Sequence, residues 1–338
     1  MKTRIYNKSE YLSNLINKIE HVKSGGRVLL ATMDFDAQHS TYSRLLTALV
    51  RASEREVTVI FIVDAYSFLY GQTSRQKNKR AQNKAWLGAL KKSGAIVTIC
   101  NKPKFPVTIP FMGRSHIKCA VVDDVVYLGG CNLNNPNELD LMLELTCKDA
   151  AGWVYAQMLL VAETCSTETA FKYKDLAHQL PSGDTILIDA GKRRQSSILA
   201  VALNLIDTAK AKILITCQFF PGGPTGKGLK GALQRNCKVK LYYSQPAAHG
   251  GSAYLQHLYN WVQRRLLPEE LFSRSMSTVA PKLHAKVLVS ERCAIIGSHN
   301  YVWQGVCFGT AEIAFITTNS QVITQLDAAV EDLVYVSE

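Results

Sequence analysis

The sequence lacks the marks of several protein classes. Its nine cysteines include no Cys-x-x-Cys pair, and most lie in apolar runs, where free cysteine packs as a small hydrophobe. No segment reaches the roughly 18 uninterrupted apolar residues of a membrane-spanning helix, and the first residues contain no apolar core of a signal peptide. We therefore expect a cytoplasmic protein without a disulfide framework, and any membrane contact would be peripheral, at the inner membrane surface.

Signatures of metal and cofactor binding are also missing. The sequence contains no HExxH, no acidic metal cluster and no Cys/His zinc spacing, so we expect neither a metal nor a cofactor. With 47% hydrophobic and 20% charged residues, the composition is that of a globular enzyme. A net charge of +12 favours anionic partners such as nucleic acid, phospholipid headgroups or phosphorylated metabolites, without choosing between them.

Short runs rich in Val and Ile alternate with longer helical segments, a pattern typical of α/β proteins. Strands are predicted near 27–33, 57–63, 95–100, 116–122, 125–130 and 141–147, and helices near 38–53, 76–92 and 149–165. After a break at 177–184, helices are predicted near 195–210, 252–266 and 320–335, and strands near 211–218, 238–243, 284–290, 293–297 and 311–317. The break divides the chain into an N-terminal half, 1–180, and a C-terminal half, 181–338.

The two halves carry the same series of residues, 168 positions apart. Each series has His, Lys at +2, an acid at +7, Gly at +13, Asn at +16 and Glu at +28. The copies are His116, Lys118, Asp123, Gly129, Asn132 and Glu144, and His284, Lys286, Glu291, Gly297, Asn300 and Glu312. Agreement at six positions indicates an internal duplication.

The repeated residues suit attack on a phosphodiester. His and Lys at i and i+2 of a strand face the same side. One imidazole can accept the phosphoryl group while the second protonates the leaving oxygen, and Lys and Asn donors can hold the other oxygens. Glu144 and Glu312 lie in apolar strands and are predicted to accept the Nδ1 hydrogen of a histidine. We expect Asp123 and Glu291 to be structural turn residues.

These segments resemble a known family. HIKCAVVD…GGCN and HAKVLVSE…GSHN are similar to the HxKxxxxD…G[GS]xN motif of the phospholipase D superfamily in its tandem form, over nearly the whole chain. The second acid is Glu291 rather than Asp, and the acid-to-glycine interval is one residue shorter in both copies, which predicts a tighter hairpin. The resemblance implies two pseudo-twofold-related α/β/α sandwich halves that share one active-site cleft, and a covalent phosphohistidine.

Three functions fit the resemblance. The first is a phospholipid hydrolase or cardiolipin synthase-like transferase, favoured because the segments after each motif are similar to those of cardiolipin synthase-like proteins. The second is a metal-independent nuclease acting on DNA or RNA, supported by the sequence pI of about 9.2 and the basic segment 74–92. The third is a non-catalytic phosphate-binding protein. Tandem motifs make a monomer sufficient for activity, and the acceptor, water or an alcohol, stays open.

Overall fold

The computed structural model describes residues 1–69, 74–102, 112–244, 258, 261–263, 265–268, 271, 275–278 and 283–335. These residues form two mixed β-sheets, one from each half of the chain, with helices packed on them. The predicted α/β class is therefore confirmed. Among the described helices, none is long and apolar enough to cross a membrane.

The first half forms a seven-stranded sheet with the order β1-β7-β6-β5-β2-β3-β4. Its strands are β1 (Lys2–Asn7), β2 (Arg27–Thr32), β3 (Thr58–Asp64), β4 (Ile96–Cys100), β5 (Cys119–Val122), β6 (Val125–Gly129) and β7 (Leu141–Thr146). Its helices are α1 (Lys8–His21), α2 (Ser40–Glu54), α3 (Tyr66–Leu69), α4 (Ser74–Lys92), α5 (Lys148–Thr164) and α6 (Thr167–Phe171).

The second half forms an eight-stranded sheet with the order β12-β11-β10-β13-β14-β15-β9-β8. Its strands are β8 (Leu176–Gln179), β9 (Thr185–Asp189), β10 (Lys212–Cys217), β11 (Lys238–Ser244), β12 (Ser275–Thr278), β13 (Val287–Ser290), β14 (Ala294–Gly297) and β15 (Glu312–Thr317). Its described helices are α7 (Ser197–Thr208), α8 (Pro224–Gln234), α9 (Trp303–Phe308) and α10 (Ser320–Tyr335).

The strand pairing repeats between the halves, as a duplication requires. β2 runs parallel to β3 and antiparallel to β5, and β10 likewise runs parallel to β11 and antiparallel to β13. The meander β5-β6-β7 corresponds to β13-β14-β15, and β1 and β9 occupy equivalent positions beyond it. β8, which begins at Leu176, belongs to the second sheet, so the sheets divide the chain slightly before the predicted boundary at residue 180.

Local sequence explains how the first sheet begins. Asn7 ends β1 and caps α1, because its side chain accepts from the backbone of Glu10, whose carboxylate in turn accepts from the Asn7 backbone. Helix α1 packs a stripe of buried apolar residues against the sheet. They are Tyr11, Leu12, Leu15, Ile16 and Ile19. α1 and the strand before it were not predicted from the sequence.

One apolar core is shared by the two halves. It joins buried residues of both sheets with those of α5 and α10, and its members include Ile117, Leu143, Met158, Leu283, Phe315 and Val330. Two further cores lie within the separate halves. Because apolar burial is the main favourable contribution to folding, the shared core holds the two sheets in a fixed relation.

Most predicted elements are present, with two kinds of difference. The strands predicted at 116–122 and 284–290 begin later, at Cys119 and Val287, because the residues before them bond to the opposite half. The elements that were not predicted are β1, β8, β9, β12, α1, α3, α6, α8 and α9. The helix predicted at 252–266 lies largely outside the described residues.

We predict that neither half is a stable monomer by itself. Expressed separately, 1–180 and 181–338 would each expose their face of the shared core, and such apolar surfaces promote association. Size-exclusion chromatography should show aggregation of each piece alone, and a complex when the two are refolded together. A monomeric half with cooperative thermal unfolding would contradict this prediction.

Candidate active site at the junction of the two sheets

Two short backbone bridges join the halves beside the repeated motifs. Each is parallel and connects the residue before a motif histidine to the residue before an acid of the other half. The bridged pairs are Ser115 with Ala311 and Leu139 with Leu283. The amide of His116 donates to the Ala311 carbonyl at 2.8 Å, and the amide of His284 donates to that of Leu139 at 2.7 Å. Each histidine is thus anchored to the opposite sheet.

The same bridges align each imidazole with a carboxylate of the other half. Nδ1 of His116 lies 2.8 Å from Oε2 of Glu312, and Nδ1 of His284 lies 2.6 Å from Oδ2 of Asp140. A carboxylate at Nδ1 keeps a proton on that nitrogen, so the imidazole presents Nε2 for chemistry. The predicted contact of Glu312 with a histidine is therefore present in the structure.

Glu144, by contrast, does not reach a histidine. It lies in the interior of β7, paired with Tyr127 of β6, and its Oε2 is 3.8 Å from Nζ of Lys18 on α1. This position is on the outer side of the sheet, away from the second half. Glu144 therefore contacts α1, and the prediction that it orients a histidine is corrected.

The error comes from loops of unequal length. Gly129 pairs with Met142 in the first half, whereas Gly297 pairs with Ala314 in the second. The second loop contains α9 and is four residues longer. The equivalent of Glu312 is consequently Asp140, four positions before Glu144, and a constant offset of 168 residues misses it.

The two motif lysines are buried at the same junction. Lys118 and Lys286 are at most 1% exposed, and their ammonium groups donate to the carbonyl oxygens of His116 and His284. Burial lowers the pKa of Lys118 to about 7, although Glu312 acts in the opposite direction. A bound anion beside this ammonium would favour its charged form.

The His116–Glu312 pair consists of a neutral imidazole and an ionised carboxylate at neutral pH. Burial lowers the pKa of His116 to about 4; Glu312 raises it, and Lys118 and Lys286 lower it further. Burial by itself would raise the pKa of Glu312, but its contact with His116 and the positive charge of Lys118 bring it down to about 2. Lys286 of the second motif thus lies close enough to His116 for its charge to act on that imidazole.

The motif asparagines lie at the ends of the second motif strands. Oδ1 of Asn132 accepts from the backbone amide of Asp34 at 3.3 Å. Oδ1 of Asn300 is buried and has no hydrogen-bond partner among the described residues. Next to it, Oγ of Ser298 donates to Oε2 of Glu312 at 2.5 Å. The carboxylate that faces His116 is thus held by the second half's own Gly-Ser turn.

Asp123 and Glu291 lie away from the histidines, at the turns between the motif strands. Oδ1 of Asp123 accepts from the amide of Arg27 at 2.9 Å, and Oε1 of Glu291 accepts from the amide of Lys210 at 2.9 Å. Both acids therefore fasten the motif hairpin to the beginning of the neighbouring antiparallel strand, β2 or β10. These contacts are of the structural kind expected for turn acids.

Sequence reasoning missed three residues beside His284. Besides Asp140, these are Glu138 and Lys8, whose buried ammonium lies 3.1 Å from Oε2 of Glu138. Among the described residues, Glu138, Asp140 and His284 offer metal-ligand atoms within 4.8 Å of one another. Since Lys8 bonds Glu138 and the ammonium of Lys286 lies 2.9 Å from Nδ1 of His284, lysine side chains already supply positive charge to this group.

The second half has an acid where the first half has that lysine. Extending the β1–β7 register by one residue places Lys8 opposite Asp140. In the equivalent pair of strands, Asp189 lies opposite Glu312. Burial raises the pKa of Asp189 to about 7, and Glu312 adds to that effect. The two histidine–carboxylate pairs therefore have neighbours of different charge.

Comparisons with known proteins agree with this architecture. The sequence profile of the family described as cardiolipin synthase, PLD-like domain, matches residues 15–158 and 202–334. No curated protein matches the sequence.

Among solved structures, phosphatidylserine synthase from Haemophilus influenzae Rd KW20 is similar, with a TM-score of 0.75 and 13% identity, covering 98% of this chain and 86% of that one. Polyphosphate kinase from Porphyromonas gingivalis has a TM-score of 0.60 and 12% identity, covering 98% of this chain and 50% of that one. At these identities, the likeness concerns the fold.

We predict that His116 titrates near pH 4, well below its ordinary value of 6.5, because burial disfavours the imidazolium. Replacing Glu312 with Gln should lower this pKa further, since the carboxylate raises it. NMR titration of the imidazole C–H signals is the measurement. The unfolded chain binds this proton at higher pH than the folded one, so the free energy of unfolding should fall as pH drops from 6.5 toward 4. A His116 pKa near 6.5 would contradict the prediction that burial lowers it.

Proposed function

Since the chain belongs to the family of cardiolipin synthase, PLD-like domains, we propose that it cleaves or transfers phosphodiesters through a covalent phosphohistidine and that its substrate is a phospholipid. The observation that carries the proposal is the reciprocal pairing of His116 with Glu312 and of His284 with Asp140. Two imidazoles with carboxylates on Nδ1, beside two buried lysines, are the groups that metal-free phosphoryl transfer requires.

We assign His116 as the nucleophile. Its pKa of about 4 keeps the imidazole neutral at pH 7, and Glu312 accepts the Nδ1 hydrogen. The Nε2 lone pair attacks phosphorus, a P–N bond forms, and the P–O bond to the leaving group breaks. The imidazolium of His284 gives its proton to the leaving oxygen, while Lys118 and Lys286 hold the non-bridging oxygens.

The second step returns the enzyme to its starting state. Water or an alcohol attacks phosphorus and gives its proton to His284, and the P–N bond breaks to release His116. With water the reaction is hydrolysis, and with a lipid alcohol it is phosphatidyl transfer. In this proposal Asn132 and Asn300 donate to phosphate oxygens, and a monomer contains the whole site.

Two findings favour a phospholipid. The family whose profile matches is named for cardiolipin synthase, and a solved structure with the same fold is a phosphatidylserine synthase that shares 86% of its length with this chain. We propose peripheral contact with a membrane, from the cytoplasmic side.

The alternative is a metal-independent nuclease, and one contact favours it. Lys79, on the basic helix α4, lies 3.1 Å from Asp34, whose amide donates to Asn132. The start of this helix therefore lies beside the motif residues, where its exposed cations would meet a nucleic-acid backbone.

We predict turnover of phosphatidylglycerol or phosphatidylcholine, and little cleavage of single- or double-stranded DNA, with EDTA present throughout. Activity should survive chelation because the two lysines supply the charge stabilisation. Chromatography of the lipid products and gel analysis of the DNA are the measurements. Preferential DNA cleavage would establish the alternative, and a strict requirement for added divalent ion would overturn the mechanism.

We predict that His116→Ala abolishes the covalent adduct, whereas His284→Ala slows turnover of poor leaving groups and retains much of the first step for an activated aryl phosphodiester. Acid-quench trapping of labelled enzyme, with mass spectrometry to locate the adduct, distinguishes the two. An adduct on His284 that persists in His116→Ala would reverse the roles.

The lipid turnover assay also tests the acid that orients His284. Asp140→Asn should lower kcat roughly 100-fold or more by favouring the wrong His284 tautomer. Glu144→Gln, its matched control, should leave kcat within a few-fold.

A further inference from the structure

Two exposed basic turns lie next to each other, one at the end of the first half and one in the second half. Lys172 and Lys174 flank Tyr173 just after α6, and Lys192, Arg193 and Arg194 follow β9. The turns are joined because the amide of Ala190 donates to Oδ1 of Asp175 at 2.9 Å. Arg193 also interacts with the Tyr173 hydroxyl. Five cations are thus concentrated on one small area.

Exposed aromatic side chains border the same turns. The exposed fractions are 51% for Tyr173, 40% for Trp303 and 37% for Phe308. The amide of Arg194 donates to the Val306 carbonyl at 2.9 Å, which fixes the basic turn against α9. Large apolar side chains are mostly buried in globular proteins. Three of them exposed together beside cations therefore indicate an interaction surface.

Two hydrogen bonds connect this area to the candidate active site. The Phe308 carbonyl accepts from the amide of Gly113 at 3.1 Å, three residues before His116. Thr310, just after α9, has its hydroxyl 3.4 Å from Oε1 of Glu312. A molecule resting on α9 would therefore be close to both members of the first histidine pair.

The apolar surface continues past α9. The side chain of Trp303 lies against Gly223, and Leu267 lies against Gly226, in the first turns of α8. On the described part of the segment before β12, Trp261 is 53% and Leu266 is 65% exposed. The guanidinium of Arg265 covers the Trp261 ring at 4.4 Å. This segment repeats the combination of exposed aromatic and cation.

We propose that Tyr173, Trp303 and Phe308, with Lys172, Lys174, Lys192, Arg193 and Arg194, form a docking surface for an anionic phospholipid bilayer. Tryptophan and tyrosine settle at the level of the headgroups, and nearby cations are attracted to anionic lipid. Glu168 and Asp175 are the acids beside the patch; the first bonds Tyr173 and the second accepts from Ala190. The proposal rests on a phospholipid substrate, since docking would present a headgroup to His116.

The test compares matched pairs of substitutions. Arg193→Gln with Arg194→Gln removes two cations, and Trp303→Ala with Phe308→Ala removes two aromatics. The control pair is Lys91→Gln with Lys92→Gln, two exposed cations at the end of α4. Lys91 and Lys92 lie before the first residue of β4. Asn101, just after the last residue of β4, contacts Arg114 near the site. The control substitutions therefore lie at the opposite end of the sheet from the site. Thermal unfolding checks that each variant folds.

The readouts are flotation with phosphatidylcholine vesicles, with and without phosphatidylglycerol, and turnover of a short-chain phosphatidylglycerol that stays monomeric. We expect the arginine pair to weaken binding to anionic vesicles on the order of 30-fold and the aromatic pair about tenfold. Monomeric turnover should stay unchanged. If both variants bound vesicles as tightly as the wild type, the proposed docking surface would be refuted.

Two further outcomes separate this proposal from the proposed function. A wild-type protein that binds anionic vesicles but turns over no monomeric lipid would refute the phospholipid activity and support the docking surface. A wild-type protein that prefers a single-stranded oligonucleotide to anionic vesicles, with the loss falling on the same variants, would show a nucleic-acid surface and overturn the bilayer proposal.

Discussion

Each motif histidine bonds a carboxylate of the other half, and the rest of the site depends on this constraint. A buried carboxylate or imidazole is costly unless it has a partner, and here each motif histidine has a carboxylate partner across the junction. The parallel backbone bridges hold that junction with bonds that do not depend on side-chain identity. The shared core beneath them prevents the two sheets from sliding. Electrostatics and packing therefore require the same arrangement.

Pseudo-twofold symmetry brings two equivalent histidines together, yet a nucleophile and an acid need different surroundings. The strands beside the motifs supply that difference, since Lys8 lies next to Asp140 where Asp189 lies next to Glu312. A cation and an acid at equivalent positions act in opposite directions on the adjacent carboxylate. The two histidine–carboxylate pairs thus have different electrostatic surroundings, and the difference arises outside the repeated motif.

The sequence was sufficient for the class of fold, the duplication and the two His-x-Lys pairs, because these depend on short-range periodicity and a constant offset. It was insufficient for Asp140. The insertion of α9 in one loop shifts the register by four residues, and an internal alignment without gaps then selects Glu144. Lys8 was missed for another reason. A lone lysine at the start of a helix normally points to solvent, and only the tertiary contact with Glu138 explains its burial.

The distance along the chain between His116 and Glu312 also has a consequence for biosynthesis. The two residues are 196 positions apart, so at ribosomal speed Glu312 is made roughly 10–40 s after His116. During that interval the nascent chain carries the histidine without its acid and with its face of the shared core uncovered. The candidate active site is therefore completed late, at the moment when the second sheet docks, and an unfinished polypeptide lacks one of its two halves. A chaperone that shields the first sheet during this interval would protect the nascent chain from aggregation.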